Sequence, residues 1–338
     1  MKIAFISSSH HKKSEAFDYI VSDLSTKYNV SRYWDEEWIG GDNFSIDDVN
    51  NGNYECLVFA QVYPKPELLK KLKCKNILWL PMYDSEVNAM DYRYLKLIPF
   101  GIKVISFSKL LHTRLVSLGM DSTYLQMYIK PLPRLNLQNK YLKVFFWSRH
   151  EYINWELVKA LLGEDFKGEI ILQNVPDPKN TFIMPSDEDI KKYNIKLITE
   201  WLPFEKIIPI RNQCDIIIAP RMYEGIGLTF IECMSGGVAV ISPNTSTMNE
   251  YIKDGYNGYL YDINKPQRIS FENIHEVKEN AFNSMKKGYD RWVQDKKVLI
   301  KIVERNVVKR YTLIQLVLGL LYVYVFPGLS KLKKKLLK

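Results

Sequence analysis

Two carboxylates eight residues apart, Glu224 and Glu232, bracket the loop Gly225-Ile226-Gly227 and the apolar stretch Leu228-Thr229-Phe230-Ile231. Acidic side chains accept hydrogen bonds from hydroxyls, and glycines let a backbone approach a bound molecule closely. Upstream, Asp215–Ala219 reads as a buried strand that stops at Pro220. Downstream, Gly236-Gly237 ends a helix predicted over about Leu228–Ser235. A helix start offers N–H groups without intrahelical partners and the positive end of the dipole, which suits a diphosphate. If the step between the glutamates were wholly helical, it would separate them by roughly 12 Å. That is about the reach from a sugar ring, past two phosphates, to a ribose. The chemistry implied is a grip on both ends of a nucleotide-activated sugar. Either glutamate alone reads as a solvated surface side chain; the strand, loop and helix around the pair point to a ligand.

The elements that must position these groups follow from the hydrophobic pattern. Short apolar, β-rich runs, Lys2–Ile6, Val30–Tyr33, Tyr54–Ala60, Asn76–Leu80, Lys103–Phe107 and Tyr124–Met127, alternate with helix-compatible stretches such as Ser14–Lys27, Pro66–Lys73 and Lys109–Leu118. That alternation predicts a parallel sheet covered on both faces. Lys130-Pro131-Leu132-Pro133 and the polar residues Asn136–Lys140 then read as a linker. Alternation resumes with Leu142–Trp147, Glu169–Gln173, Ile195–Ile198, Asp215–Ala219 and Val238–Ser242. The expectation is an α/β protein of two doubly wound, Rossmann-like lobes facing a cleft. The lobes are placed at 1–135 and 136–306, with a tail over 307–338. The glycine loop also matches the opening of a dinucleotide fingerprint, but Phe230 occupies the third glycine's position. The strand before it is also a late one, so an NAD site is not expected.

A length of 338 residues suits two cores better than one, and 46% hydrophobic with 25% charged residues describes a folded globular chain. The formal net charge is +9, and part of the excess is local, in Lys331, Lys333, Lys334, Lys335 and Lys338. Tyr311–Ser330 carries no charge, Leu313–Phe326 is strongly apolar, and Lys309-Arg310 precede it. Twenty residues could span a bilayer, yet both flanks are basic and Pro327-Gly328 interrupts the far end. The tail is therefore expected to lie in the membrane interface, with a span, or a helix packed on the first lobe, as the alternatives. Amphipathic Ser284–Arg305 suits that last job better. No nucleic-acid motif appears, and a nucleic-acid partner is not expected. The four cysteines, Cys56, Cys74, Cys214 and Cys233, are scattered without C-x-x-C or histidine neighbours, so neither disulfides nor a metal site is indicated. The first apolar run is too short for a signal peptide, and a reducing, cytoplasmic setting is expected.

Glu224-Gly-Ile-Gly-Leu-Thr-Phe-Ile-Glu232 and the following Cys-Met-Ser-Gly-Gly-Val-Ala-Val-Ile-Ser resemble the E-x7-E segment of GT-B glycosyltransferases. The family is the large retaining family 4, the glycosyl transferases group 1 type. Asn249-Glu250-Tyr251-Ile252-Lys253-Asp254-Gly255-Tyr256-Asn257-Gly258 resembles the family's next motif. The resemblance is specific over about Leu197–Asp262. It implies a donor held mainly by the second lobe, with Glu224 on the transferred sugar and Glu232 on the ribose. Backbone groups of Gly225, Ile226, Gly227, Leu228 and Thr229 would lie along the donor. It implies no metal and no cofactor, the nucleotide sugar being the donor substrate. Family members carry an arginine and a lysine five apart that face the diphosphate. Here Arg149 keeps the arginine, while Asn154 stands at the lysine position. Arg149 and the helix start would stabilise the charge that grows on the departing phosphate.

Acceptor contacts are expected from the first lobe, with His10, His11 and Asp84 as candidates; a solvated, flexible loop is the competing reading of the histidines. The function expected is transfer of a hexose-like sugar from a UDP- or GDP-sugar to a glycan or lipid-linked acceptor. It would occur at the cytoplasmic face of a bacterial plasma membrane, in surface polysaccharide assembly. Two other readings share the fold: a catalytically silent membrane scaffold, which Asn154 favours, and a nucleotide-sugar epimerase, for which no acid–base set is evident.

Overall fold

The computed structural model describes residues 1–134, 139–178, 180–305 and 311–326. The chain divides into two compact units: Met1–Gln126 together with the described residues from Val293 onward, and Met127–Trp292. Each is built on a six-stranded, wholly parallel sheet.

In the first unit the strands are β1 (Lys2–Ser8), β2 (Asn29–Asp35), β3 (Cys56–Ala60), β4 (Ile77–Leu80), β5 (Lys103–Ser106) and β6 (Asp121–Tyr124), in the order β2-β1-β3-β4-β5-β6. Central strands β3 and β4 are buried at every position, which is why they read as unbroken apolar runs. Ala4, Leu57, Phe59, Trp79 and Val104 fill one face of the sheet. The helix expected over Ser14–Lys27 is split. A single turn at His11–Ser14 ends on Glu15 at φ 51°, and α1 (Asp18–Ser25) follows. Strand β6 begins three residues before the predicted run. As an edge strand it is half solvated, and its Ser122-Thr123 carry no apolar signal. Two short helices, α2 (Tyr83–Glu86) and α3 (Asp91–Leu95), follow β4.

In the second unit the strands are β7 (Lys143–Trp147), β8 (Glu169–Gln173), β9 (Ile195–Ile198), β10 (Ile216–Ile218), β11 (Ala239–Pro243) and β12 (Tyr259–Tyr261). Their order is β12-β11-β10-β7-β8-β9. Edge strand β12, three residues long, escaped the sequence pattern. The helices used below are α4 (Trp155–Leu162), α5 (Phe204–Asn212) and α6 (Leu228–Ser235). In such sheets ligands bind beyond the carboxyl ends of the strands where the winding reverses. Those points lie between β7 and β10 in this unit and between β1 and β3 in the first.

The division falls at Gln126/Met127, not at 135: Met127, Tyr128 and Ile129 are buried, and Tyr128 packs on Tyr251 at 5.3 Å. The part of the predicted linker over 135–138 lies outside the described residues. A long helix, α7 (Ile274–Glu304), passes through the second division at Trp292/Val293, where the sequence suggested 306. Its last turns are fixed to the first unit by Lys296–Asp23, Lys27–Glu304 and Arg305–Asp121, at 2.7, 2.6 and 2.7 Å. Buried Lys103 of β5 donates to the Ile302 and Arg305 carbonyls at 2.6 and 2.5 Å, which caps the helix end.

Part of the apolar tail forms α8 (Leu313–Leu320), whose capping box joins Thr312 and Gln315. It packs on the first unit through Leu316 and Gly319. Both α7, which holds most of Ser284–Arg305, and α8 thus take the packing role, the latter as one of the alternatives for the tail. No helix among the described residues is long and apolar enough to cross a membrane. Lys309-Arg310, Pro327-Gly328 and the terminal lysine cluster lie outside the described residues.

Candidate active site

The Glu224 loop hangs from the end of β10. Ile216–Ile218 are wholly buried between β7 and β11, and the sheet ends before Pro220, which has no N–H to continue the ladder. The loop is then pinned from the far side. Buried Thr247 donates its hydroxyl to the carbonyls of Glu224 at 2.8 Å and Gly225 at 3.1 Å. Glu224 is 7% exposed, and Arg221 stands 4.0 Å from its carboxylate.

Gly227 caps α6 at φ +80°, and a Cβ there would sit 1.9 Å from the Phe230 ring. Only glycine satisfies both the left-handed backbone and that ring. Phe230 in turn lies edge-on to Tyr251 at 5.4 Å, whose hydroxyl donates to the Met127 carbonyl. The Phe230 and Ile231 amides bond back to Gly227, which leaves Leu228 and Thr229 as the amides at the helix mouth. The predicted helix span and the observed one coincide.

Glu232, on the second turn of α6, is 6% exposed. Burial pushes its carboxyl up to about 7, against the opposing pull of Arg211. Arg211 comes from α5, lies over the Phe145 and Trp147 rings at 5.3 and 5.6 Å, and brings a guanidinium nitrogen to 3.8 Å from Glu232. That is an ion pair without hydrogen-bond geometry. Among the described residues the Glu232 carboxylate makes no hydrogen bond. A buried acceptor in this state is costly unless a donor arrives, so the arrangement favours a ligand carrying hydroxyls.

Arg149 follows β7, and Glu224 follows β10, the neighbouring strand at the winding reversal. Arg149 stacks on Trp147 at 4.7 Å and pairs with Asp177 through Nε at 2.9 and 3.0 Å. Asn154 is the N-cap of α4, its Oδ1 accepting from the Leu157 amide at 2.9 Å. The residue at the family's lysine position is therefore committed to capping, which a lysine could not do.

In the first unit, the competing reading of a solvated loop fails for His11. His11 is 2% exposed, packs edge-on against Phe17 at 4.7 Å and shares a hydrogen bond with Gln61 at 3.0 Å. Burial, with a contribution from His10, lowers its pKa to about 3, so the ring is neutral. Gln61, at φ 61° just past β3, donates to Ser85 at 3.0 Å. His10 bonds Ser8 at 3.0 Å, and Asp84 accepts from the Ser85 amide at 2.9 Å. One polar chain thus links the ends of β1 and β3 to α2, bringing His11 and the Asp84 turn together. Sequence reasoning missed Gln61, Thr247, Asp177 and Arg211. Only Arg211 left a signal, a cation one turn after Ile207 on the buried side of its helix.

Two parallel doubly wound sheets with flanking helices, a glycine-capped helix and buried carboxylates beside it define the GT-B glycosyltransferase fold. The glycosyl transferases group 1 family matches residues 186–294, the segment that holds α5, α6 and both glutamates. An uncharacterized glycosyltransferase of Methanocaldococcus jannaschii is 30% identical over 77 residues, 23% of this chain and 22% of that one. An alpha-maltose-1-phosphate synthase of Mycolicibacterium smegmatis is 32% identical over 69 residues, 20% of this chain and 18% of its own. These matches span less than a third of the relatives' lengths. Among solved structures, a sucrose-phosphate synthase from Thermosynechococcus elongatus superposes with a TM-score of 0.65 at 12% identity, over 90% of this chain and 99% of its own. HepE of Anabaena, solved in complex with UDP and glucose, gives 0.61 at 12% identity over 89% and 100%.

Proposed function

We propose that this protein transfers a sugar from a nucleotide-sugar donor, UDP-linked in the first instance, to a glycan or lipid-linked acceptor. The observation that carries the reading is Glu232. A carboxylate buried beside a helix mouth, with a cation 3.8 Å away and no hydrogen bond of its own among the described residues, suits the paired hydroxyls of a ribose. HepE binds UDP and glucose on a similar fold, which supports the choice of donor. In the reaction the anomeric C–O bond to the diphosphate breaks and its electron pair leaves with the phosphate. An acceptor hydroxyl forms the new C–O bond and passes its proton to the departing diphosphate oxygen. Arg149 and the amides at Leu228 and Thr229 meet the charge on the leaving group, and Glu224 meets the sugar. Retention of configuration, independence of metal, a hexose donor and a place in bacterial surface-polysaccharide assembly at the cytoplasmic membrane face belong to the same reading.

Asn154 favours one rival, a silent member of the fold that scaffolds a membrane assembly. A thermal-shift screen of UDP, GDP and their sugars, followed by incubation of the best donor without acceptor, separates the two. The transferase reading expects a raised Tm with one base and slow release of free sugar. Binding without any release favours the scaffold, and no shift with any nucleotide removes both.

A further inference from the structure

Helix α8 is apolar except for Gln315 of its capping box, yet only one side of it is covered. Leu316 and Gly319 of α8, and Val323 of the π-helical turn Leu321–Val325 that continues it and also carries Tyr322 and Tyr324, face the first unit. A Cβ on Gly319 would meet the Leu95 carbonyl at 2.8 Å and Pro99 at 2.9 Å, so the helix is seated as closely as a helix can be. On the opposite side Leu313 and Ile314 are 76% and 72% exposed, and Val317, Leu320 and Tyr324 are exposed with them. A helix that met only water on that side would carry polar residues there. The folded unit supplies the surroundings of this face. Lys70 sits over the Tyr324 ring at 4.0 Å, Tyr92 of α3 stacks on Tyr322 at 5.9 Å, and Lys96 lies over Tyr92 at 4.9 Å. No acidic residue occurs from Tyr311 onward, and the chain adds a lysine cluster beyond it.

We propose that the outward side of α8, with Tyr92, Lys70 and Lys96, is a composite face that docks the first unit on an anionic lipid surface. Apolar side chains enter the acyl boundary, tyrosines sit at headgroup depth and lysines meet the phosphates. A second copy of the chain is disfavoured as the occupant, because the same face brought against itself would set lysine against lysine. The inference deepens the membrane part of the function proposed above, and it stands whether or not sugar is transferred. Because α8 is seated on the domain, docking would fix the orientation of the first unit instead of tethering it loosely.

The test is flotation of the full-length protein with phosphatidylcholine vesicles, with and without phosphatidylglycerol, in parallel with UDP thermal shift. The wild type should float with the anionic vesicles and come off in alkaline carbonate. The triple variant Leu313→Ser/Ile314→Ser/Val317→Ser, which retains every lysine, should lose binding at least tenfold at an unchanged Tm and UDP response. Lys70→Glu/Lys96→Glu should weaken binding to anionic vesicles alone. The proposal is overturned if the wild type stays unbound, if the triple variant floats like the wild type, or if that variant instead turns a dimer into a monomer. Loss of UDP binding in every form would count against the donor reading and leave the docking result standing.

Discussion

The proposed donor site rests on two glutamates in different electrostatic settings. Glu224 is held by a loop whose carbonyls are clamped by Thr247, with Arg221 at 4.0 Å. Glu224→Gln keeps size and neutralises charge, so the fold should persist while donor turnover drops about a hundredfold. Unchanged turnover with an intact circular dichroism spectrum would remove Glu224 from the chemistry. Glu232 sits deeper, with its carboxyl pushed up to about 7 by burial and drawn down by Arg211. Among the described residues, Arg211 on α5 is the charged group that acts on it from a neighbouring element; Cys233 lies beside it on α6, and Arg149 acts on Arg211 from beyond. A carboxyl raised above its unfolded range contributes stability below that range and loses it as pH rises through about 7. The ligand-free protein should therefore lose stability from pH 5 to 8 at this group. UDP affinity should rise over the same window, since the ionised form accepts both ribose hydroxyls. Glu86 is also raised to about 7 by burial, so the difference between wild type and Glu232→Gln isolates the Glu232 slope. Arg211→Gln should move the rise in UDP affinity upward by roughly one pH unit, measured by calorimetry across pH 6 to 9. An unmoved midpoint would reduce Arg211 to packing.

At the scale of elements, helix ends decide where functional groups stand. Gly227 opens α6 at φ +80°, and Asn154 opens α4 by capping Leu157. Lys103 closes α7, its buried ammonium shared by Asn76 and the Ile302 and Arg305 carbonyls. Burial lowers its pKa, the sign expected for a cation held in a dry site. Lys103→Met would remove the ammonium from both carbonyls and leave Ile302, among the described residues, with only the Arg305 amide at 3.3 Å, at a cost of about 2 kcal/mol. The urea midpoint should fall, and amide exchange should quicken in the last turn before Glu304. Unchanged exchange there would show that the Lys27–Glu304 and Arg305–Asp121 pairs secure the helix end without Lys103.

At the scale of the whole molecule, each unit carries its own sheet, core and winding reversal, and the groups proposed to hold the donor all lie within Met127–Trp292. UDP alone should therefore slow amide exchange over 224–235 and at the end of β7. The chain from His11 through Gln61 to Ser85 should be unaffected until an acceptor is added. Protection confined to the first unit would refute the donor assignment.

Sequence alone determined the two-sheet architecture and the span of α6, and it singled out Glu224 and Glu232, which the fold buries at the start of that helix. Buried parallel strands demand unbroken apolar runs, and a glycine-capped helix start is written in consecutive residues. Edge elements were illegible for the converse reason: β12 and the start of β6 bury too little to leave a pattern. Only tertiary structure set Arg211 against Glu232 and buried His11 beside Gln61, because those outcomes depend on partners far apart in the chain. It likewise decided the apolar tail. Twenty uncharged residues fit a span, an interfacial helix or a packed one equally well by composition. The docking of Leu316 and Gly319 onto the first unit committed one side of the helix and left the other exposed.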